Sequence, residues 1–113
     1  MLLHTAALPG EGLKLTFSDN GQEIARVRIY FISNDLHPQP YALIEDLFVQ
    51  EEFRGQSLGT KLMQAAIEEA KKKGCYKILA TSRKEREKVH EFYRKLGFKE
   101  WGKEFRIDLE QKH

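Results

Sequence analysis

Residues 41–73 read YALIEDLFVQEEFRGQSLGTKLMQAAIEEAKKK. The run opens as a strand from Tyr41 to Gln50, passes through a polar turn, Arg54-Gly55-Gln56-Ser57-Leu58-Gly59, and continues directly into a long amphipathic helix. In that helix Leu58, Leu62, Ala66, Ile67 and Ala70 recur at helical spacing, while Lys61, Gln64, Glu68 and Lys72 fall largely outside the stripe. Glu68–Lys72 and Glu69–Lys73 are spaced as favourable i,i+4 pairs, and Gly74 supplies the stop. A helix that starts in such a turn presents unpaired N–H groups and the positive end of its dipole, which suits an anion, a phosphate above all. The turn is neither a P-loop nor a dinucleotide fingerprint, because it has no Gly-Lys-Ser/Thr and no Gly-x-Gly-x-x-Gly. On its own residues it reads equally as an ordinary glycine-containing strand-to-helix connection.

In the strand, alternation places Tyr41, Leu43, Glu45, Leu47 and Val49 on one side and Ala42, Ile44, Asp46 and Phe48 on the other. Apolar residues on both sides predict a central strand covered from two directions. Glu45 and Asp46 stand out there, since a carboxylate in a central strand is costly unless solvated or paired.

Upstream, Leu13, Leu15 and Phe17 alternate with polar residues, Asn20-Gly21 is a strong hairpin signal, and a returning strand runs from about Glu23 to Ile32. Val27, Ile29 and Phe31 share one face of it, and Arg26, Arg28 and Tyr30 the other. Ser33–Pro40 is a loop. Downstream, Tyr76–Thr81 is a short apolar strand, and Ser82-Arg83-Lys84-Glu85 fits a capping box opening a second helix striped by Val89, Phe92, Tyr93 and Leu96. Gly97 ends that helix, and Phe98–Trp101 and Glu104–Leu109 read as two further strands. Strands before, between and after two helices give an α/β (α+β) class with a mixed sheet in one domain, 1–113.

Composition narrows the function classes. A hydrophobic fraction of 41% with 32% charged residues fits a folded soluble domain and not a disordered chain. Lys+Arg 19 against Asp+Glu 17 gives a net charge of +2, spread along the chain, which does not suggest nucleic acid or an anionic membrane as the main partner. Aromatic residues do lie among basic ones near Arg26–Phe31, but without clustered charge. No apolar run approaches the ~20 residues of a membrane span. One cysteine, Cys75, gives neither an internal disulfide nor a thiolate metal cluster; it reads as a small packing residue, and no metal site is expected. Met1–Gly10 has no basic leader, so the expectation is a cytoplasmic protein.

Two segments together carry a resemblance. Glu45-Asp46-Leu47-Phe48-Val49 followed by Phe53-Arg54-Gly55-Gln56-Ser57-Leu58-Gly59-Thr60 resembles the acyl-coenzyme A site of the GNAT family of N-acetyltransferases, which carries Arg/Gln-x-x-Gly-x-Gly/Ala after a strand ending in valine. Phe92-Tyr93-Arg94-Lys95-Leu96-Gly97-Phe98 resembles the family's second signature, in order and at the usual separation. The resemblance spans about residues 13 to 109. It implies a mostly antiparallel sheet with a splayed parallel pair, here 41–50 and 76–81, and two main helices. Backbone groups of Leu47, Phe48 and Val49 would grip the pantetheine arm of acetyl-coenzyme A. The amides of Arg54, Gly55, Gln56, Ser57, Leu58, Gly59 and Thr60 would hold its diphosphate, where glycine lets several N–H groups converge.

The resemblance also implies roles for side chains. Tyr93 matches the tyrosine that protonates the departing thiolate in many relatives; the other reading is that it continues the Val89–Phe92–Leu96 stripe. Glu45 matches the carboxylate used as general base by diamine acetyltransferases, with a solvated or arginine-paired strand residue as the other reading. Asp46, placed on the opposite face, is expected to be structural or to attract the amine. Arg86 lies where other family members place an asparagine that contacts the coenzyme, which implies a phosphate contact, with an ordinary exposed helix arginine as the other reading. Arg86-x-x-Val-His90-x-Phe-Tyr resembles a helix of aminoalkylphosphonate acetyltransferases, and His90 is expected to pack or face solvent.

Two departures qualify the match. Ser57 replaces the first motif glycine, which predicts weakened or altered coenzyme binding. The two helices that the family inserts after its first strand are absent here, so the acceptor side is either open to a large amine substrate or closed by a second subunit in a homodimer. The leading expectation is an acetyl-coenzyme A-dependent N-acetyltransferase acting by direct attack of a primary amine. A non-catalytic acyl-coenzyme A-binding or regulatory module is the alternative.

Overall fold

A computed structural model of the chain describes every residue except 83, 84 and 111–113. The described residues fall into two compact units, one running from Met1 to Ala80 and the other beginning at Thr81.

The first unit is a four-stranded sheet in the order β1-β2-β3-β4, with β1 Gly10–Asp19, β2 Gln22–Ile32, β3 Tyr41–Val49 and β4 Ile78–Ala80. Asn20 and Gly21 turn the β1–β2 hairpin with φ of 50° and 78°, the doubly left-handed conformation that Asn-Gly favours. β2 and β3 are antiparallel, while β3 and β4 are parallel and joined by a single 3₁₀ turn, Glu51–Phe53, and helix α1, Leu58–Lys72. The Ser33–Pro40 loop is pinned to the start of this parallel pair. Asn34 Nδ2 donates to the Tyr76 hydroxyl at 3.0 Å, and the His37 ring stacks on Tyr76 with centroids 4.0 Å apart.

α1 packs on β1, β2 and β3. Its buried residues, Leu62, Met63, Ala66 and Ala70, meet a sheet face built from Ala25, Val27, Ile29, Phe31, Ala42 and Ile44. Met63 completes the stripe that the spacing of Leu62, Ala66 and Ala70 defines, and with Ile29, Ile44 and Val27 it is among the largest fully buried side chains. Each such aliphatic side chain contributes about 1.5–3 kcal/mol by leaving water. α1 ends as expected at Gly74: the Gly74 amide donates to the Lys71 carbonyl and that of Cys75 to Ala70, both at 3.0 Å, a Schellman motif.

The surface ion pairs of α1 differ from the i,i+4 expectation. Lys71 reaches Glu68 at 3.4 Å and Lys72 reaches Glu69 at 3.5 Å, both one position earlier. Lys73 is drawn instead to Glu11 on β1, and this hydrogen-bonded pairing raises its ammonium above the usual lysine value.

In the second unit, helix α2 is Glu87–Lys95, flanked by Arg86 without a side-chain cap. The helix therefore starts later than the capping-box reading implied, and that box includes residues 83 and 84, which lie outside the described residues. Val89, Phe92, Tyr93 and Leu96 are half-buried, as their stripe requires. The helix closes with Gly97 donating to Arg94 and Phe98 to Tyr93, both at 3.0 Å.

The two strands expected at Phe98–Trp101 and Glu104–Leu109 are not formed; no described residue after α2 is in a strand. Trp101, Phe105, Ile107 and Leu109 are exposed. Alternation shows that a segment can lie half-buried on a sheet, but a ladder also needs a neighbouring strand with unpaired backbone groups. Among the described residues none pairs with this segment.

Replacing Ile44 by Ala is expected to cost about 2–5 kcal/mol, since its site between Ile29 and Ala80 is walled by backbone ladders and cannot collapse. Urea unfolding of the variant checks this; a loss under 1 kcal/mol would contradict the packing described here.

Candidate active site

The candidate site begins where β3 outruns its parallel neighbour. β4 pairs only with Ala42–Ile44, ending at Ala80 opposite Ile44. From Glu45 to Val49 that edge of β3 therefore has no strand beside it among the described residues, which is the side where the parallel pair ends. The far end of the strand is held from the other side. The Gln50 amide donates to the Ile24 carbonyl and its side-chain amide to the Glu23 carbonyl, both at 2.8 Å.

The turn follows at once. Gly55 has φ of 86° and Ser57 has φ of 63° with ψ of 22°, so the backbone twice enters the left-handed region before α1 begins. Left-handed residues interleaved with right-handed ones curl successive N–H groups toward one concavity, an anion-binding arrangement. The Arg54 amide is committed to the Glu51 carbonyl at 3.2 Å, and the Lys61 amide makes the first helical bond, to Ser57, at 3.0 Å. Between them the amides of Gly55, Gln56, Ser57, Leu58, Gly59 and Thr60 donate to no group among the described residues. No Cβ at Gly55 would meet an atom within 4 Å, so the space over the turn is open.

One of the expected site residues, Arg54, behaves differently from its reading. Arg54 turns back on the strand: its Nε donates to the Val49 carbonyl at 2.9 Å and its guanidinium lies 5.8 Å from the Phe48 ring centre. The row of available amides thus starts at Gly55. Ser57, at the helix N-cap, makes no side-chain capping bond, which leaves its hydroxyl beside those amides.

Glu45 and Asp46 lie on the same face, correcting the alternation. Arg26 pairs with Phe48 and Arg28 with Glu45, so Val27 alone spans Asp46 and Leu47, a β-bulge. Asp46 takes φ of 57° in it. Its carboxylate accepts from Arg26 Nε at 2.7 Å and Arg26 Nη2 at 3.3 Å, and it is also ion-paired to Arg28. Past the bulge the faces exchange: Phe48 sits under the Arg26 guanidinium at 4.8 Å, and Val49 faces the core opposite Ala25. Glu45 is exposed and accepts no hydrogen bond or ion pair from another described residue. An open depression of about 490 Å³ lined by Tyr30, Leu43 and Glu45 from the sheet, with Glu11 at its rim, lies on this face.

In the second unit Tyr93 is half-buried between Phe92 and Phe98, ring centres 5.7 Å and 5.5 Å away. Burial pushes its phenol above the ordinary tyrosine value, against a smaller opposing effect of Arg86. The proton is therefore held throughout the neutral range. His90 is 3.7 Å from Glu87 on the same helix. Cys75, back in the first unit, has its thiol pushed up by burial, which suits a packing role and not a nucleophile. Among the described residues no helix is long and apolar enough to cross a membrane, and no cluster of three His, Cys, Asp or Glu side chains could hold a metal ion.

A family model for the acetyltransferase (GNAT) family matches residues 4–98. The chain belongs to the GNAT family. It is 41% identical over 66 residues to a glucosamine 6-phosphate N-acetyltransferase of Trypanosoma brucei brucei, covering 58% of this chain and 43% of that relative. It is 40% identical over 70 residues to an uncharacterised N-acetyltransferase of Methanocaldococcus jannaschii, covering 62% of this chain and 30% of the relative. The match thus spans less than half the length of either curated relative. Among solved structures, an acetyltransferase of Trypanosoma brucei superposes with a TM-score of 0.79 at 28% identity, covering 87% of this chain and 69% of that one.

What the sequence missed is the network of Asp46 with Arg26 and Arg28. Its signal was present as two arginines on one face of β2 facing adjacent acids on β3, but strict alternation separates those acids.

A serine in the left-handed region costs about 1–2 kcal/mol. Ser57→Gly is therefore expected to raise stability by about 0.5–1 kcal/mol after the extra entropy of an unfolded glycine. Gly55→Ala should lose about 1 kcal/mol by the same argument. Denaturant midpoints of the two variants check both signs, and a lower midpoint for Ser57→Gly would contradict the strain at this turn.

Proposed function

We infer that the chain, acting as one acyltransferase domain, transfers an acetyl group from acetyl-coenzyme A to a primary amine by direct attack. The observation that carries this reading is the amide row of Gly55–Thr60, at the N-terminus of α1 and immediately beyond the unpaired edge of β3. A diphosphate fits those amides and the positive helix end. An extended pantetheine arm fits the free edge at Leu47, Phe48 and Val49, adding to the sheet as a strand would. Arg86 is assigned to a further phosphate of the coenzyme.

Four chemical tasks remain. The amine must be neutral to attack, so its ammonium proton has to be accepted; Glu45, exposed and uncommitted, is the assigned base, directly or through water. The amine nitrogen then bonds to the thioester carbonyl carbon while a backbone N–H near Val49 polarises the carbonyl oxygen. The carbon–sulfur bond breaks, the leaving thiolate takes a proton from Tyr93, whose raised phenol keeps that proton available, and the second proton that the amine nitrogen sheds as the amide forms returns through solvent to the phenolate. Support for an amino-sugar acceptor comes from the Trypanosoma brucei brucei relative named as a glucosamine 6-phosphate N-acetyltransferase, and a small amine or a peptide amine are the other members of the same acceptor class. The open depression beside Glu45 leaves room for either, or for a second copy closing that side in a homodimer. A reduced cytoplasmic setting fits the lone, inert Cys75.

Mass spectrometry of an amine, amino-sugar and peptide panel incubated with acetyl-coenzyme A tests turnover and acceptor class together. Acetylated product is expected; thermal stabilisation by the coenzyme with no product from any amine would favour a non-catalytic acyl-coenzyme A-binding module instead. Tyr93→Phe should lower kcat by about 10²-fold or more with little change in coenzyme affinity. Because the phenol is raised, the wild-type rate should hold into mildly alkaline pH and fall only above the ordinary tyrosine range. Equal kcat in the two proteins would remove the acid assignment.

A further inference from the structure

We propose that Asp46 is a positioning residue that keeps Glu45 free to act as a base, by holding Arg28, which lies directly opposite Glu45 in the sheet. The proposal rests on the base reading of Glu45 given above.

The geometry sets up a competition. Cross-strand neighbours in register lie close enough for opposite charges to pair, so Arg28 is the natural partner of Glu45. Arg28 is instead ion-paired to Asp46, which the bulge has swung onto the same face, and Arg26 donates to that carboxylate as well. The other charges on this face have partners of their own. Lys14 on β1, across from Arg28, reaches Glu23 at 2.6 Å, and Glu23 also lies 3.5 Å from Arg26. Glu11, which also lines the depression, lies opposite Phe31 and turns to the α1 face, where Lys73 takes it. Tyr30 on β2 and Leu43 on β3 are the other side chains lining the depression beside Glu45, and Leu79 of β4 pairs with Leu43. Asp46 is thus what separates Glu45 from the guanidinium facing it.

A carboxylate held by a guanidinium is a weaker proton acceptor, because the pairing stabilises its charged form. If Asp46 loses its charge, Arg28 turns to Glu45 and the base is weakened without being touched. Asp46→Asn isolates this effect, since asparagine also tolerates the left-handed conformation and the bulge can persist. Asp46→Gly serves as a second variant that accepts the same backbone.

Both variants are expected to lower kcat/KM for the amine about tenfold, a fraction of what losing a general base outright costs. The acid limb of kcat/KM should move to lower pH, and stabilisation by coenzyme A should stay at the wild-type level. Adding Arg28→Gln to Asp46→Asn should restore most of the rate and return the acid limb. A wild-type pH profile in Asp46→Asn, or a loss that Arg28→Gln does not reverse, would overturn the proposal. The base reading is tested separately by Glu45→Gln, whose unchanged turnover would overturn that reading and the catalytic part of the proposal with it. The contact itself is tested without turnover by a double-mutant cycle of Arg28→Gln and Glu45→Gln on Tm. Coupling that is absent with Asp46 present and emerges in the Asp46→Asn background supports the competition; equal coupling in both backgrounds refutes it.

Discussion

The seating of α1 on the sheet is the constraint on which the remaining geometry depends. Its stripe of Leu62, Met63, Ala66 and Ala70 is buried against Val27, Ile29, Phe31, Ala42 and Ile44. Two of those four helix residues are alanines, so the helix backbone can approach the sheet closely while Leu62 and Met63 fill the space beside it. Turning the helix by one residue, about 100°, would drive Lys61 or Gln64 into that apolar face. The helix is therefore locked in rotation, and with it the direction in which the amides of Leu58, Gly59 and Thr60 point. An anion cradle needs that fixity, because the value of a convergent N–H row lies in its being held in place before the ligand arrives.

The same packing explains why β3 tolerates a bulge. Up to Ile44 the strand is anchored twice, by the helix on one face and by β4 on its edge. Beyond Ile44 the parallel partner has ended, and an extra residue enters the strand where the ladder to β2 is its remaining strand pairing among the described residues. The left-handed φ at Asp46 would be unfavourable alone, and the two arginine contacts compensate for it. The cation–π contact of Arg26 with Phe48 and the bond from Arg54 to Val49 then tie down the strand end. Each of these contacts faces away from the core, so the local chain can depart from regular pleating without opening a void.

The sequence made the ordered part of this picture legible where periodicity and punctuation agreed. The α1 stripe, the Asn20-Gly21 turn and the stops at Gly74 and Gly97 are local signals, each with its own physical cause, and each stands where it was read. The concavity at Gly55–Thr60 was legible as a helix end but not in its detail. That Ser57 adopts the left-handed region, and that Arg54 bends back to Val49, depends on neighbours that spacing does not encode. Alternation misled at Asp46, because one inserted residue inverts every face assignment beyond it. It misled again at Phe105, Ile107 and Leu109, where the pattern of a strand is present without a strand to pair with.

Magnitudes show why the surroundings of Glu45 matter more than its mere presence. A glutamate is a weaker base than an alkylamine by about 6 pK units, so moving a proton from an alkylammonium to it is uphill by roughly 8 kcal/mol. A turnover near 10 s⁻¹ corresponds to a total barrier of about 16 kcal/mol. Half of that barrier is then spent before the carbon–nitrogen bond begins to form. An amino sugar, whose ammonium is more acidic than an alkylammonium, would ease this step, and a protein lysine would bear it in full. Each further unit of lost basicity raises the barrier by about 1.4 kcal/mol, a factor of ten in rate. A guanidinium directly across the strand is therefore the neighbour such a base can least accommodate, and the β3 bulge is the feature of this fold that gives Arg28 another carboxylate to hold.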